Sequence, residues 1–193
     1  MPRGGLPMMG GGAVPDMGSV FRGLRGAGGP GPRALASAGA MPSGELLPGP
    51  ASIAGLNPHQ VMVAKSIVAE AMRRHLPPKA AVIAIATAMQ ESNLRVLANP
   101  AVPASMRIAH AGVGYDHDSV GPFQQRQSWG ATPDLMNPTT SAGKFFDKLV
   151  RIPNWDSLPV TVAAQKVQVS AYPSAYAKHE GKAASIVRAI LGG

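Results

Sequence analysis

The chain has 193 residues, a formal net charge of +8, 5% aromatic residues and no cysteine. That length suits one domain plus a tail, and the lack of cysteine excludes a disulfide framework or a thiolate metal site. No apolar stretch reaches the length of a membrane span, so no stable membrane insertion is expected.

The N-terminus, MPRGGLPMMGGG, is broken by Gly and Pro throughout and has no apolar core of signal-peptide type. A protein acting outside a cell, at the wall or in a phage virion, would then leave by another route, be cut from a longer chain, or travel in the particle. The basic excess suits nucleic acid, a membrane surface or an acidic wall polymer. Lys and Arg are scattered, however, and adjacent only at Arg73-Arg74, so no nucleic-acid partner is expected.

Residues 1–52 are dominated by Gly and Pro, with Met and Ala filling in. Such a segment buries too little apolar surface to offset its backbone entropy. It is expected to be a disordered tail or linker, and a place where a tethering partner could hold the protein.

From Ile53 the pattern changes. Asn57-Pro58 has the form of an N-cap followed by proline at the first helical position. The run to His75 sets Val61, Ala64, Ile67, Val68, Ala71 and Met72 on one helical stripe. Pro77-Pro78 stops that helix, and Pro78 opens a second one, Lys79 to about Gln90. This second helix is apolar on all sides and is expected to be the buried centre of residues 53–193.

Residues 93–120 lack helical period and hold Pro100, Pro103, Gly112 and Gly114, which predicts a long loop or small irregular hairpin. Asn137-Pro138 repeats the cap signal and opens a helix to about Val150, with Ala142, Phe145, Phe146 and Leu149 inward. Trp155 is expected to be a core or groove aromatic. Pro159 opens a helix over VTVAAQKVQVS, and a last helix is expected from Ser174 to Leu191, weakened in its middle by Gly181. The fold class is therefore mainly α, with a non-helical insertion after the buried helix.

Glu91 follows the apolar run AAVIAIATAM, residues 80–89, at the exit of the buried helix. The negative end of the helix and the apolar surroundings both disfavour its charged form. A carboxylic acid that keeps its proton near neutral pH is what a glycosidic oxygen needs from a general acid. The plainer alternative is an exposed carboxylate paired with Arg95 four residues on. Ser92 and Asn93 can end the helix and help orient the carboxyl.

Downstream, YDHDSVGPFQQRQSWG (residues 115–130) brings two carboxylates, Asp116 and Asp118, then Gly121, Phe123 and the amides Gln124 and Gln125. Glycoside cleavage sets a carboxylate or hydrogen-bonding group opposite the acid, and these residues could supply it. Ordinary turn capping by the aspartates is the alternative. The five histidines form no ligand-spaced set and there is no Gly-x-Ser-x-Gly elbow or P-loop, so no metal and no cofactor is expected.

These motifs, in this order, resemble the lysozyme-like superfamily, and within it the goose-type lysozyme and lytic transglycosylase group in the form found in actinobacteria and their phages. The resemblance rests on MQES (Met89–Ser92), DHDSVGPFQQR (Asp116–Arg126), Trp129-Gly130 and VQVSAYPSAY (Val167–Tyr176), and covers about residues 56 to 191. It implies a lysozyme-like helical domain that cleaves peptidoglycan glycan strands at the N-acetylmuramic acid to N-acetylglucosamine β-1,4 bond.

In that likeness Glu91 would be the catalytic acid and Asp118 the second carboxylate, with Asp116 as alternative. Gln124 would line the sugar cleft, and Tyr172 and Tyr176 would lie against the reacting sugar. Phe123, Trp129 and Tyr172 would offer stacking surfaces, with Ser92 and Gln125 beside them. Pro173 stands where the family's Ala-Tyr-Asn signature has Asn. A non-catalytic glycan-binding module, or a structural part of a phage tail or secretion apparatus, is the rival expectation.

Overall fold

The computed structural model describes residues 53–169 and 174–192. The expected tail, 1–52, lies outside the described residues, as does Tyr172. Six α-helices carry the fold: α1 (Pro58–Arg73), α2 (Pro78–Ser92), α3 (Thr132–Met136), α4 (Pro138–Leu149), α5 (Val160–Gln168) and α6 (Glu180–Leu191). Among the described residues there is no β-strand, only two isolated bridges, Ala98 with Val113 and Val120 with Gln125. The protein is mainly α, as its apolar periodicity predicts.

The start of α1 is fixed by a reciprocal cap. The Asn57 side chain accepts from the Gln60 backbone N–H at 2.9 Å, and the Gln60 side chain accepts from Asn57 N–H at 3.0 Å. Both orphan donors are thereby satisfied. The stripe of α1 buries Val63, Ala64, Ile67, Val68 and Ala71. Met72 is 58% exposed, which corrects its expected inward position: it lies in the last turn of α1, which ends at Arg73, and among the described residues that side is left open to solvent. Glu70 is buried because Arg73 and Arg74 both hold it, at 2.7 and 2.6 Å, and Arg74 continues to Asp147 on α4 at 2.7 Å.

Helix α2 is the centre, packed against α1, α4, α5 and α6. Ile83, Ala84, Ile85, Ala86 and Ala88 are fully buried, and access to solvent is kept at the first residues, at Val82, and at Gln90 and Glu91 in the last turn. Helix α4 follows its sequence signal closely. Asn137 accepts from the N–H groups of Thr139 and Thr140, and Ala142, Phe145, Phe146 and Leu149 are all fully buried.

Three boundaries differ from expectation. Helix α3 is new; five residues are too short to display a helical period. Helix α5 stops at Gln168 because Val169 turns left-handed, with φ 55°. Helix α6 begins at Glu180 rather than Ser174, after a 3-10 turn over Ala177–His179. Tyr176 is buried just before that turn, and holding its ring inward sets the chain direction before the helix can start. Gly181 therefore lies in the first turn of α6, not in its middle.

Candidate functional site

The exit of α2 is built to stop abruptly. Asn93 and Leu94 both adopt left-handed backbone, at φ 55° and 56°. Leu94 N–H bonds back to the Ala88 carbonyl at 3.1 Å and Asn93 N–H to Met89 at 3.0 Å, the bonding of a Schellman-type ending. Non-glycine residues rarely take this conformation, and two in succession store backbone strain. The surroundings hold it: Gln60 donates to the Asn93 carbonyl at 2.8 Å, and Val96 N–H donates to His59 Nε2 at 3.2 Å. That donation leaves His59 neutral at Nε2, and burial with the Arg95 charge keeps its pKa low.

Glu91 sits two residues before Asn93, half-buried. Tyr176, 1% exposed, donates its phenol O–H to Glu91 Oε1 at 2.9 Å. Burial pushes the Glu91 pKa up to about 7; the Tyr176 hydrogen bond pulls it down and the Asp116 charge adds a further upward push. Desolvation outweighs the phenol, so the acid form is populated near neutrality. Arg95, the partner of the plainer reading, instead turns its Nε to the Ser92 carbonyl at 3.1 Å.

The two aspartates diverge. His117 between them is left-handed, φ 45°. Asp118 is bound by the Arg126 guanidinium and accepts from Gln127 N–H at 3.1 Å, and both hold its carboxyl below the usual range. Its charge closes its own loop. Asp116 is exposed, accepts from His117 Nδ1 at 2.8 Å and from Ser119 Oγ at 3.4 Å, and is the aspartate whose charge reaches Glu91. Asp118 is thus engaged by Arg126, while the Asp116 charge adds to the upward push on Glu91.

Several residues expected to touch substrate are structural instead. Ser92 is 3% exposed; its hydroxyl donates to the Pro122 carbonyl at 2.7 Å and lies 3.1 Å from that of Ala88, pinning α2 to the Gly121 turn. Phe123 is fully buried and stacks on Phe145 with centroids 5.0 Å apart, so it offers no sugar platform. Gln125 is 1% exposed and donates to the Ser141 carbonyl at 3.1 Å. Phe123 and Gln125 follow the Gly121 turn inward, a burial that local sequence does not mark.

Gln124 keeps partial exposure, at φ 47°, with Nε2 on the Gly121 carbonyl at 2.9 Å. A Cβ placed on Gly114 would lie 2.9 Å from Gln124 Oε1, so the amide rests against the glycine loop. Trp129 is partly buried, with Lys148 Nζ 3.1 Å from its ring centroid, a cation–π contact. Its exposed face is therefore shared with a lysine.

Sequence reasoning overlooked Asn99. Its side-chain amide is buried and donates to the carbonyls of Asp116, His117 and Ser119. Asn99-Pro100, a turn-forming dipeptide inside the irregular stretch, was the available signal. Among the described residues no three His, Asp or Glu side chains gather in a way that could hold a metal ion. Two grooves lie away from Glu91: an apolar one of about 430 Å³ between α2 and α6, and a polar one of about 330 Å³ between α1 and α4. No family model and no curated protein matches this chain.

Proposed function

We propose that residues 53–193 cleave peptidoglycan glycan strands at the N-acetylmuramic acid to N-acetylglucosamine bond, with Glu91 as general acid. The observation that carries this reading is the state of Glu91: a half-buried carboxyl with its pKa raised to about 7 and its Oε1 held by Tyr176 at 2.9 Å. The resemblance of the four motifs supplies the substrate class.

In this mechanism Glu91 gives its proton to the glycosidic oxygen as the bond to C1 breaks. The carboxylate left behind keeps the Tyr176 hydrogen bond, which favours the charged form. Positive charge grows on the muramic acid ring and Asp116 contributes the compensating field. Water, or the sugar's own C6 hydroxyl, then attacks C1 and in either case gives up a proton that restores the acid form of Glu91. The first route gives a reducing end and the second a 1,6-anhydro end. The positive net charge suits an anionic wall.

The test is incubation of purified peptidoglycan with the wild-type protein and Glu91→Gln, followed by mass spectrometry of released fragments. Muropeptides from the wild type and none from the variant are expected. An anhydro product is one water lighter than the hydrolytic one, which assigns the second step. Equal release by both proteins would remove Glu91 from its role, and no release by the wild type would favour a glycan-binding module.

A further inference from the structure

The segment after the α2 exit has no sheet to hold it, yet it must place Asp116 at a defined position. Its backbone is gripped along the line from Val96 to Ala98: Ala111 N–H bonds to the Val96 carbonyl at 2.8 Å, Ala98 N–H to Gly112 at 3.0 Å, and Gly114 N–H to Ala98 at 2.8 Å. Gly121 N–H closes on the Leu97 carbonyl at 2.8 Å. Between Gly114 and Gly121 the aspartate turn bulges away from this spine, and Asn99 reaches into it.

Asn99 is 1% exposed and every polar atom of it is engaged. Its Nδ2 donates to the carbonyls of Asp116 at 3.3 Å, His117 at 3.1 Å and Ser119 at 3.0 Å. Its Oδ1 accepts from Ala101 N–H at 2.9 Å, its own N–H donates to Ser105 Oγ at 2.9 Å, and its carbonyl accepts from Ser105 Oγ at 3.1 Å. An amide with two N–H groups shared among three carbonyls can hold a turn that includes a left-handed His117, a conformation that persists only when its surroundings over-determine it.

We infer that Asn99 is a positioning residue: its buried amide, bonded to the carbonyls of Asp116, His117 and Ser119, fixes the turn that carries the Asp116 carboxylate. The inference rests on the proposed role of Glu91 for its functional meaning and on this hydrogen-bond geometry for its structural content. Glu91 meets the Tyr176 phenol, Asp116 meets His117 and Ser119, Arg95 is turned to the Ser92 carbonyl, and His179 bonds to Gln90 rather than Glu91, at 3.1 Å.

The experiment is a double-mutant cycle on the titration of Glu91, followed by carboxyl ¹³C NMR, in wild type, Asn99→Ala, Asp116→Asn and the double variant. Removing the Asp116 charge should lower the Glu91 pKa by about half a pH unit, the scale of one screened surface charge. Asn99→Ala should produce the same downward shift, and the double variant no more than either.

An Asn99→Ala protein that melts earlier but titrates like wild type overturns the inference, as do additive shifts or an Asp116→Asn protein with an unmoved Glu91. If the alanine protein does not fold, Asn99→Ser keeps one donor and takes its place in the cycle. In the wild type the Asn99 Nδ2 protons should exchange no faster than the backbone of Asp116–Ser119; free exchange also overturns the inference. None of these readings needs wall cleavage, so failure of the proposed activity and failure of this inference are separable.

Discussion

The Tyr176 phenol, arriving 85 residues later in the chain, donates to Glu91 Oε1 at 2.9 Å. This bond opposes the effect of burial, because it favours the ionised carboxyl that burial disfavours. Tyr176→Phe should therefore raise the Glu91 pKa further above about 7, by roughly one pH unit. The alkaline limb of glycan cleavage should move to higher pH by the same amount. The maximal rate should fall about tenfold, since the carboxylate formed on proton transfer loses its partner. A pH–rate profile that stays in place would remove Tyr176 from the proton chemistry.

Glu91 also sets a pH dependence of stability. Its folded pKa of about 7 lies above the ordinary 4.5, so the folded state binds the proton more tightly than the unfolded chain does. This contribution is fully favourable below pH 4.5 and is lost as pH rises towards 7, where burying the charge costs about 3 kcal/mol. Glu70 and Asp118 act in the opposite sense. Their partners hold their pKa values down, so their contribution exists above the ordinary 4.5 and 3.8 and disappears as pH falls through the folded values. Urea denaturation should show the wild type losing stability relative to Glu91→Gln from pH 4.5 to 7, with the variant the more stable protein above that window. Parallel curves for the two would mean that Glu91 is solvated.

How much of this was legible before the structure depends on the range of the interaction involved. The caps at Asn57 and Asn137 bond within three residues, so their helices begin where the sequence places them. The burial of α2 follows from its composition, and the unusual setting of Glu91 follows from its position after that run. The inward turn of Phe123 and Gln125 was not legible, because it depends on Gly121 passing against Leu135 on α3, a helix too short to signal itself. The divergence of Asp116 and Asp118 was hidden too. They alternate along the chain as neighbours on one face of a strand would, and the left-handed His117 breaks that pattern. Asn99 carries no periodic signal at all, since the carbonyls that its Nδ2 holds lie 17 to 20 residues away.

Asp118→Asn separates the two aspartates. Its carboxyl is committed to Arg126 and Gln127, so the variant should keep glycan cleavage and leave the Glu91 pKa unmoved. It should melt somewhat below wild type at neutral pH, with the difference closing as pH falls and the wild-type carboxyl becomes protonated. Melting curves at several pH values check the second statement, and muropeptide release checks the first. Loss of cleavage with an intact fold would return Asp118 to the catalytic pair.

Two glycines make opposite predictions under the same substitution. Gly121 has φ +75°, and a Cβ there would lie 1.9 Å from the Leu135 carbonyl oxygen, a backbone atom that cannot step aside alone. Gly121→Ala must either open the contact between this turn and α3 or shift α3, releasing the Ser92 hydroxyl from Pro122 in the process. A loss of about 3 kcal/mol or more is expected, from overpacking added to left-handed strain. Gly181 lies in the first turn of α6, with nothing within 4 Å of the added methyl. Gly181→Ala should stabilise by about 0.5–1 kcal/mol through the lower entropy of its unfolded chain and better helix propensity. Denaturant midpoints of both variants, measured together, decide the matter: a tolerated Gly121→Ala would mean that the turn does not close on α3, and the Ser92–Pro122 link that steadies the Glu91 end of α2 would lose its basis.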